Sequence, residues 1–348
     1  TIFSEVEKMD LETIKTNAKE RLKGFCIVCP VCDGRACAGK VPGMGGIGTG
    51  SSFIANIEAL ASYRLNMRTI HDVKETDTSF ALWNMQLSVP ILSAPMTGAT
   101  YNMGGRITEE EFISEIVLGS INAGTIAMTG DGADPEMYNS GLKAIRNNQG
   151  KGIAIIKPRA QDEIIKRIRR AEEAGAIAVG IDIDGAGLIT MALKGQPVST
   201  KSVKEISELV QSTHLPFIIK GIMTPDEAEL AVQAGAKAIV VSNHGGRILD
   251  YTPGAADVLL LIAESVKGKT IIFADGGVRS GSDVLKLLAL GADAVLVGRP
   301  IAIAALGGGR EGVSLVLNKL KGELSQAMLL TGTVNVNNVS KKILYKHK

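Results

Sequence analysis

Short apolar, β-branched runs alternate with helical patterns along most of this chain. The runs fall at residues 89–95, 125–129, 152–156, 176–183, 216–222, 238–242, 270–275 and 294–298. Between them lie segments of helical periodicity, among them 109–123, 161–174, 202–212, 226–234, 255–266 and 281–290. Several of these segments close on Ala-Gly or Leu-Gly immediately before the next run, where glycine lets a helix end in a left-handed turn. Eight strand–helix units in about 250 residues match a (β/α)8 barrel, and that α/β fold is expected over a doubly wound open sheet. Residues 1–88 read as an N-terminal helical extension packed on the barrel, with a Cys-rich loop at 26–37 and a Gly-rich loop at 43–50. Residues 89–348 form the barrel, the last helix being expected at 312–329.

Composition narrows the function classes. With 348 residues and 45% hydrophobic content the chain can bury a large core. The 38 basic and 36 acidic residues nearly balance, and no basic patch carries interleaved aromatics, so nucleic acid is not an expected partner. The 40 glycines cluster at the ends of apolar runs, where backbone can approach a ligand. The longest apolar stretch, 294–306, is broken by Arg299-Pro300, so no membrane span is expected. Residues 1–23 read as a charged amphipathic helix rather than a signal peptide, which makes a cytoplasmic location the expectation.

In such barrels ligands sit at the C-terminal ends of the strands. Those ends carry, in order, Pro95-Met96-Thr97, Thr129, Lys157, Asp182, Lys220, His244 with Arg247, Asp275-Gly276-Gly277-Val278-Arg279, and Gly298-Arg299. In Ser242-Asn243-His244-Gly245-Gly246-Arg247, a proton acceptor and a fixed cation are three residues apart. Arginine holds a carboxylate by two parallel hydrogen bonds, so the pair suits proton or hydride chemistry on a small carboxylic acid. The Gly-plus-Arg loops after the seventh and eighth runs read as a phosphate site.

These blocks, with Ile219-Lys220-Gly221-Ile222, resemble the FMN-dependent α-hydroxy acid oxidase and dehydrogenase family, which includes glycolate and lactate oxidases. The resemblance runs from about Gly50 to Gly309. It implies an FMN bound by Pro95, Met96, Thr97, Thr129, Lys220, Ser242, Asp275, Gly276, Gly277, Arg279, Gly298 and Arg299, with the phosphate on Gly277, Arg279, Gly298 and Arg299. It also implies His244 as the base, Asp182 as its partner, Lys220 beside the flavin, and Arg247 as the clamp on the substrate carboxylate. The implied reaction is oxidation of a small, L-lactate-like 2-hydroxy acid to the 2-oxo acid by hydride transfer to flavin N5. Oxygen is one implied electron acceptor, with oxidase and dehydrogenase both open, and a homo-tetramer is the implied assembly. Two alternatives stay open: another FMN-barrel enzyme resembling type 2 isopentenyl diphosphate isomerase, or a flavin-binding protein with little turnover.

The departures from that family fall in the substrate pocket. Lys157, with Ile156 and Pro158, stands near the place of the usual third-strand tyrosine. No match appears for the second substrate arginine in 184–189, nor for the N-terminal tyrosine in 41–46. Lys157 is a candidate replacement cation on position alone. Residues 185–202 read as a mobile lid or as disorder. All four cysteines, Cys26, Cys29, Cys32 and Cys37, follow C-x2-C-x2-C-x4-C, which the family pattern does not contain. Zinc, an iron–sulfur cluster and reduced thiols are all compatible with that spacing, so no metal ligand is assigned. His71, His214 and His347 lie away from strand ends and read as structural or exposed, and Trp83 as core or interface.

Overall fold

The computed structural model describes residues 9–346. Eight parallel strands close into one barrel: β1 (Ile91–Met96), β2 (Ala127–Thr129), β3 (Ile153–Ile156), β4 (Ala178–Asp182), β5 (Phe217–Ile222), β6 (Ala238–Val241), β7 (Ile271–Ala274) and β8 (Ala294–Val297). Each falls within or one residue beyond an expected run. β8 pairs with β1, Val295 opposite Ile91, which removes both sheet edges.

Alternation of side chains sorts every strand into two faces. Ile153 and Ile155, Ile218, Ala238 and Val240, and Phe273 fill the barrel interior, whereas Ala154, Ile156, Ile219, Ile239 and Val241 pack outward under the helices. The hairpin Phe80–Leu82/Met85–Leu87 supplies Phe80, Leu82 and Leu87 to the interior cluster and closes the N-terminal end. Ligand access is therefore left to the C-terminal face.

The outer helices start on side-chain caps that the sequence carries in plain view. Thr108, Asp134, Ser202, Thr224 and Ser280 each accept a backbone N–H of the first turn. The last helix, Arg299–Thr331, begins thirteen residues before its expected start and is interrupted by non-helical backbone at Gly308 and Gly309. By length and composition it could cross a membrane, contrary to the expectation for this chain. Half of its apolar window is nevertheless buried, and it packs on the helices Leu11–Arg21, Glu109–Asn122 and Gly281–Ala289.

The N-terminal extension forms the roof of the open face. Helix Ser51–Ser62 lays Phe53 and Asn56 against the β6 loop, where the Asn56 amide donates to Asn243 Oδ1 at 2.8 Å. The Gly-rich loop is fixed to the same place by the Ile47 N–H on the Gly246 carbonyl at 2.8 Å. Gly246 has φ +75°, and a Cβ there would collide with the backbone of Phe53. Gly246→Ala should therefore cost about 2–4 kcal/mol and detach the roof before the barrel. Thermal denaturation with proteolysis of residues 24–50 checks this; unchanged stability would place the roof's hold elsewhere.

Candidate active site

The C-terminal layer of the barrel interior is charged. On the inward parity of β3, β4, β5 and β7 come Lys157, Asp182, Lys220 and Asp275, directly above the aliphatic layers. Asp182 stands opposite Lys220 in the β4–β5 register. Its carboxylate pairs with Lys220 at 3.1 Å and with Lys157, and lies 3.4 Å from His244 Nδ1. Burial alone would raise the Asp182 carboxyl, but His244, Lys157 and Lys220 hold it well below the usual carboxylate range. Burial likewise works against the Lys220 ammonium, yet Asp182, Asp184 and Asp275 keep its pKa above the ordinary lysine value.

His244 has a nearer partner than the expected Asp182. Its Nδ1 is 2.9 Å from Asp184 Oδ1, a residue the motif reading passed over. The signal was present, since Asp184 follows Asp182 by two residues and lies just past the end of β4. A carboxylate accepts only, so Nδ1 carries the proton and Nε2 is left as the basic nitrogen. His244 itself has φ +58°, followed by Gly245 and Gly246 at +64° and +75°. A histidine in left-handed backbone stores about 1–3 kcal/mol of strain, a cost that the surrounding hydrogen bonds sustain. Its N–H rests on Ser242 Oγ at 3.0 Å, and Ser242 in turn donates to Asp275 Oδ2 at 2.9 Å.

Above this layer opens a cavity of about 1090 Å³ including its mouth. Pro95, Met96, Thr97, Lys220, His244, Arg247, Asp275, Gly276, Gly277, Arg279, Gly298 and Arg299 all line it, as does Lys157. Thr129 does not. It shares the outward parity of Ala127, packs under Gly141 of helix Pro135–Asn147, and is fully buried there. Ser242 and Asp182 also lie beneath the cavity surface, where they orient neighbours rather than face a ligand.

The three arginines have no carboxylate partner among the described residues. Arg299 donates to the carbonyls of Met44, Gly45 and Gly245 at 2.8–3.0 Å and stacks 3.7 Å from the Phe53 ring centre. Arg247 reaches the Gly43 carbonyl and Asn102 Oδ1. Arg279 reaches the Cys32 carbonyl at 3.1 Å. Burial pulls Arg247 down to about 10, and burial with its two arginine neighbours pulls Arg299 to about 9. Both nevertheless stay cationic at neutral pH. Positive charge concentrated on neutral carbonyls and one cysteine sulfur suits an anionic ligand. Nearby, Asp275 Oδ1 is a buried acceptor without a donor. A ligand with an anionic end and hydroxyl groups fits both features, and FMN has both. The glycines Gly276 and Gly277 meet a second demand, because a Cβ at Gly277 would lie 2.6 Å from the Asn56 carbonyl.

Residues 43–192 and 190–346 match the model of the FMN-dependent dehydrogenase family. The chain belongs to that family. It is 33% identical to a 2-hydroxyacid oxidase of Dictyostelium discoideum, covering 83% of this chain and 81% of that protein. It is 34% identical to 2-hydroxyacid oxidase 1 of Homo sapiens, covering 84% and 88%. Mandelate oxidase with benzoyl-formic acid superposes with a TM-score of 0.78 at 27% identity, over 97% of this chain and 98% of that one. The enzyme's cofactor is FMN, and its chemistry at the level of the family is oxidation of a 2-hydroxy acid.

Several cavity residues of the enzyme escaped the motif reading. Tyr101, on the short helix Ala99–Asn102 after β1, lines the cavity with its hydroxyl turned to Met137 Sδ at 3.7 Å, although both of the family's tyrosines are absent. Asp131 lines the wall and is held by Arg159 at 3.0 Å, so Arg159 is spent on structure and replaces no substrate cation. The expected lid is a seated cover: Ile183–Gly187 and Ile189–Leu193 are helical turns, and Met191 is buried against Leu188 and Ala133. Leu188 and Thr190 reach the cavity from it. Of the remaining histidines, His214 is exposed beside Glu172, His71 bonds the Arg68 carbonyl, and His347 lies outside the described residues.

Asp182→Asn removes the carboxylate that both buried lysines pair with and should cost about 3–5 kcal/mol in urea denaturation. The depressed carboxyl also fixes the sign with pH. Its contribution is complete above the unfolded value of about 3.9 and is lost as pH falls through the lower folded value. The variant should therefore lose stability less steeply below about pH 4 than the parent. Parallel acid limbs would mean that another carboxylate carries the effect.

Proposed function

We propose that the enzyme oxidises a small, L-lactate-like 2-hydroxy acid to the 2-oxo acid, with His244 as the base. The observation that carries this reading is the His244 ring, held through Nδ1 by Asp184 on the wall of a cavity it shares with Lys157 and Arg247. FMN, when bound, supplies the hydride acceptor. Its phosphate would lie on Arg279 and Arg299 with Gly277 and Gly298, and Asp275 Oδ1 would accept from a ribityl hydroxyl. Lys220 would offset charge gained by the ring, which Pro95, Met96 and Thr97 would back.

The protein's own groups then divide the work. Arg247 has five donors, of which the roof carbonyl and Asn102 leave some for a carboxylate. Lys157, which also lines the cavity, would supply a further cation in place of the family's missing arginine. His244 Nε2 takes the hydroxyl proton as the Cα–H bond breaks. Asp184 and Asp182 balance the imidazolium so formed. Leu188 and Met103 line the wall and limit both water and substrate size, since one cavity must hold flavin and acid together.

Anaerobic addition of a panel of 2-hydroxy acids should bleach the flavin with at least one small member; bleaching by none would overturn the substrate class. His244→Ala should keep FMN and slow flavin reduction by about 10²–10⁴-fold in stopped flow, whereas an unaltered rate would sink the base assignment. Arg299→Ala removes a charge-assisted contact of about 1.5–3 kcal/mol, so the FMN Kd should rise tenfold to more than a hundredfold. Unchanged Kd by fluorescence titration would move the phosphate elsewhere.

A further inference from the structure

The cysteine run is the one sequence signal that the flavin chemistry leaves unused. The structure brings all four side chains to the lining of a single pocket, completed by Ile27, Gly34, Met44, Arg299 and Ile303. None of the four is in a disulfide, and each is partly shielded from solvent. Two N–H groups already point at sulfur: that of Val28 to Cys26 Sγ at 3.4 Å, and the Arg279 guanidinium to Cys32 Sγ at 3.4 Å. Donors of this kind and a nearby cation are what a thiolate-bound metal centre requires of its surroundings.

We propose that Cys26, Cys29, Cys32 and Cys37 ligate one four-iron, four-sulfide cluster. Spacing separates this from a single zinc ion. Zn–S bonds of about 2.3 Å bring tetrahedral thiolates about 3.8 Å apart. Among the described residues the one set of three ligand atoms within 4.8 Å of each other is Asp182, Asp184 and His244, so no three of these sulfurs approach that closely. A cluster binds each thiolate through a different iron and so takes sulfurs set further apart than one zinc ion does, and the four cysteines here share one pocket lining. The leading C-x2-C-x2-C spacing also suits three ligands of one cluster.

The surrounding chain supports a metal staple. Apart from the short turn Arg35–Cys37 the loop has no regular structure, and it exposes Ile27 and Val31 at 60% and 72%. It contributes little to the core, so a bound centre would order it. Met44 and Arg299 line both this cavity and the larger one, which places the cluster one layer of side chains from the flavin cavity.

The test is iron, sulfide and zinc analysis of the full chain purified anaerobically and reconstituted with ferrous iron and sulfide. The expected result is about four iron and four sulfide per chain, with an electron paramagnetic resonance signal after dithionite reduction. One zinc without sulfide, or four free thiols without iron, would overturn the assignment. The double variant C29S/C32S should lose iron and sulfide while keeping FMN absorbance, which reads the two sites separately; iron and sulfide equal to the parent's would also overturn it. Should that variant fail to fold, the parent's metal content and resonance signal decide the matter.

Discussion

Asp182 is the carboxylate around which the working face of the barrel is assembled. Lys157, Lys220 and His244 converge on it from three other strands or strand-end loops, all within the protein interior. Two buried ammonium groups are tolerable only with a buried anion between them, because desolvation without pairing costs several kcal/mol per ion. That requirement couples β3, β4, β5 and the loop after β6 into one electrostatic unit. Asp184 then needs only to orient the imidazole, and Asp275 and Ser242 to brace the backbone beneath it. Base, cation and brace are held by the same few charges.

A second unit is built from the roof downward. Arg247 and Arg299 reach up from the barrel to carbonyls of residues 43–45, while Phe53 lies under the Arg299 guanidinium. The Gly-rich loop thus owes its position to cations that still seek an anion. An anion bound there would complete charges that already hold the loop. The cysteine loop joins the same unit through Arg279, whose guanidinium spans the flavin cavity wall and Cys32.

The corrections share a geometric cause. Thr129 stands at the end of its strand like Lys157 and Asp182, but strand parity sends it outward, because Met128 is the inward residue. Asp184 was passed over because it follows the strand and joins His244 only when the turn Ile183–Gly187 folds back. Tyr101 lines the cavity from the short helix Ala99–Asn102, beyond the strand end itself. The long C-terminal helix begins earlier than expected because the non-helical backbone at Gly308 and Gly309 interrupts it without ending it.

By itself the sequence determined the barrel, since eight β-branched runs with capped helices between them have few other ways to bury their apolar faces. It also determined the chemical class of the site, because His244, Arg247, Lys220 and the Gly-Arg loops stand at strand ends whatever the details of closure. Only the tertiary structure decided which carboxylate holds the histidine and which polar strand-end residues see the cavity. It alone decided that three arginines line one cavity and that four cysteines line another. Periodicity fixes the face a side chain takes along one strand. Pairings between loops separated by tens or hundreds of residues depend on barrel closure and on the roof, which no local pattern encodes.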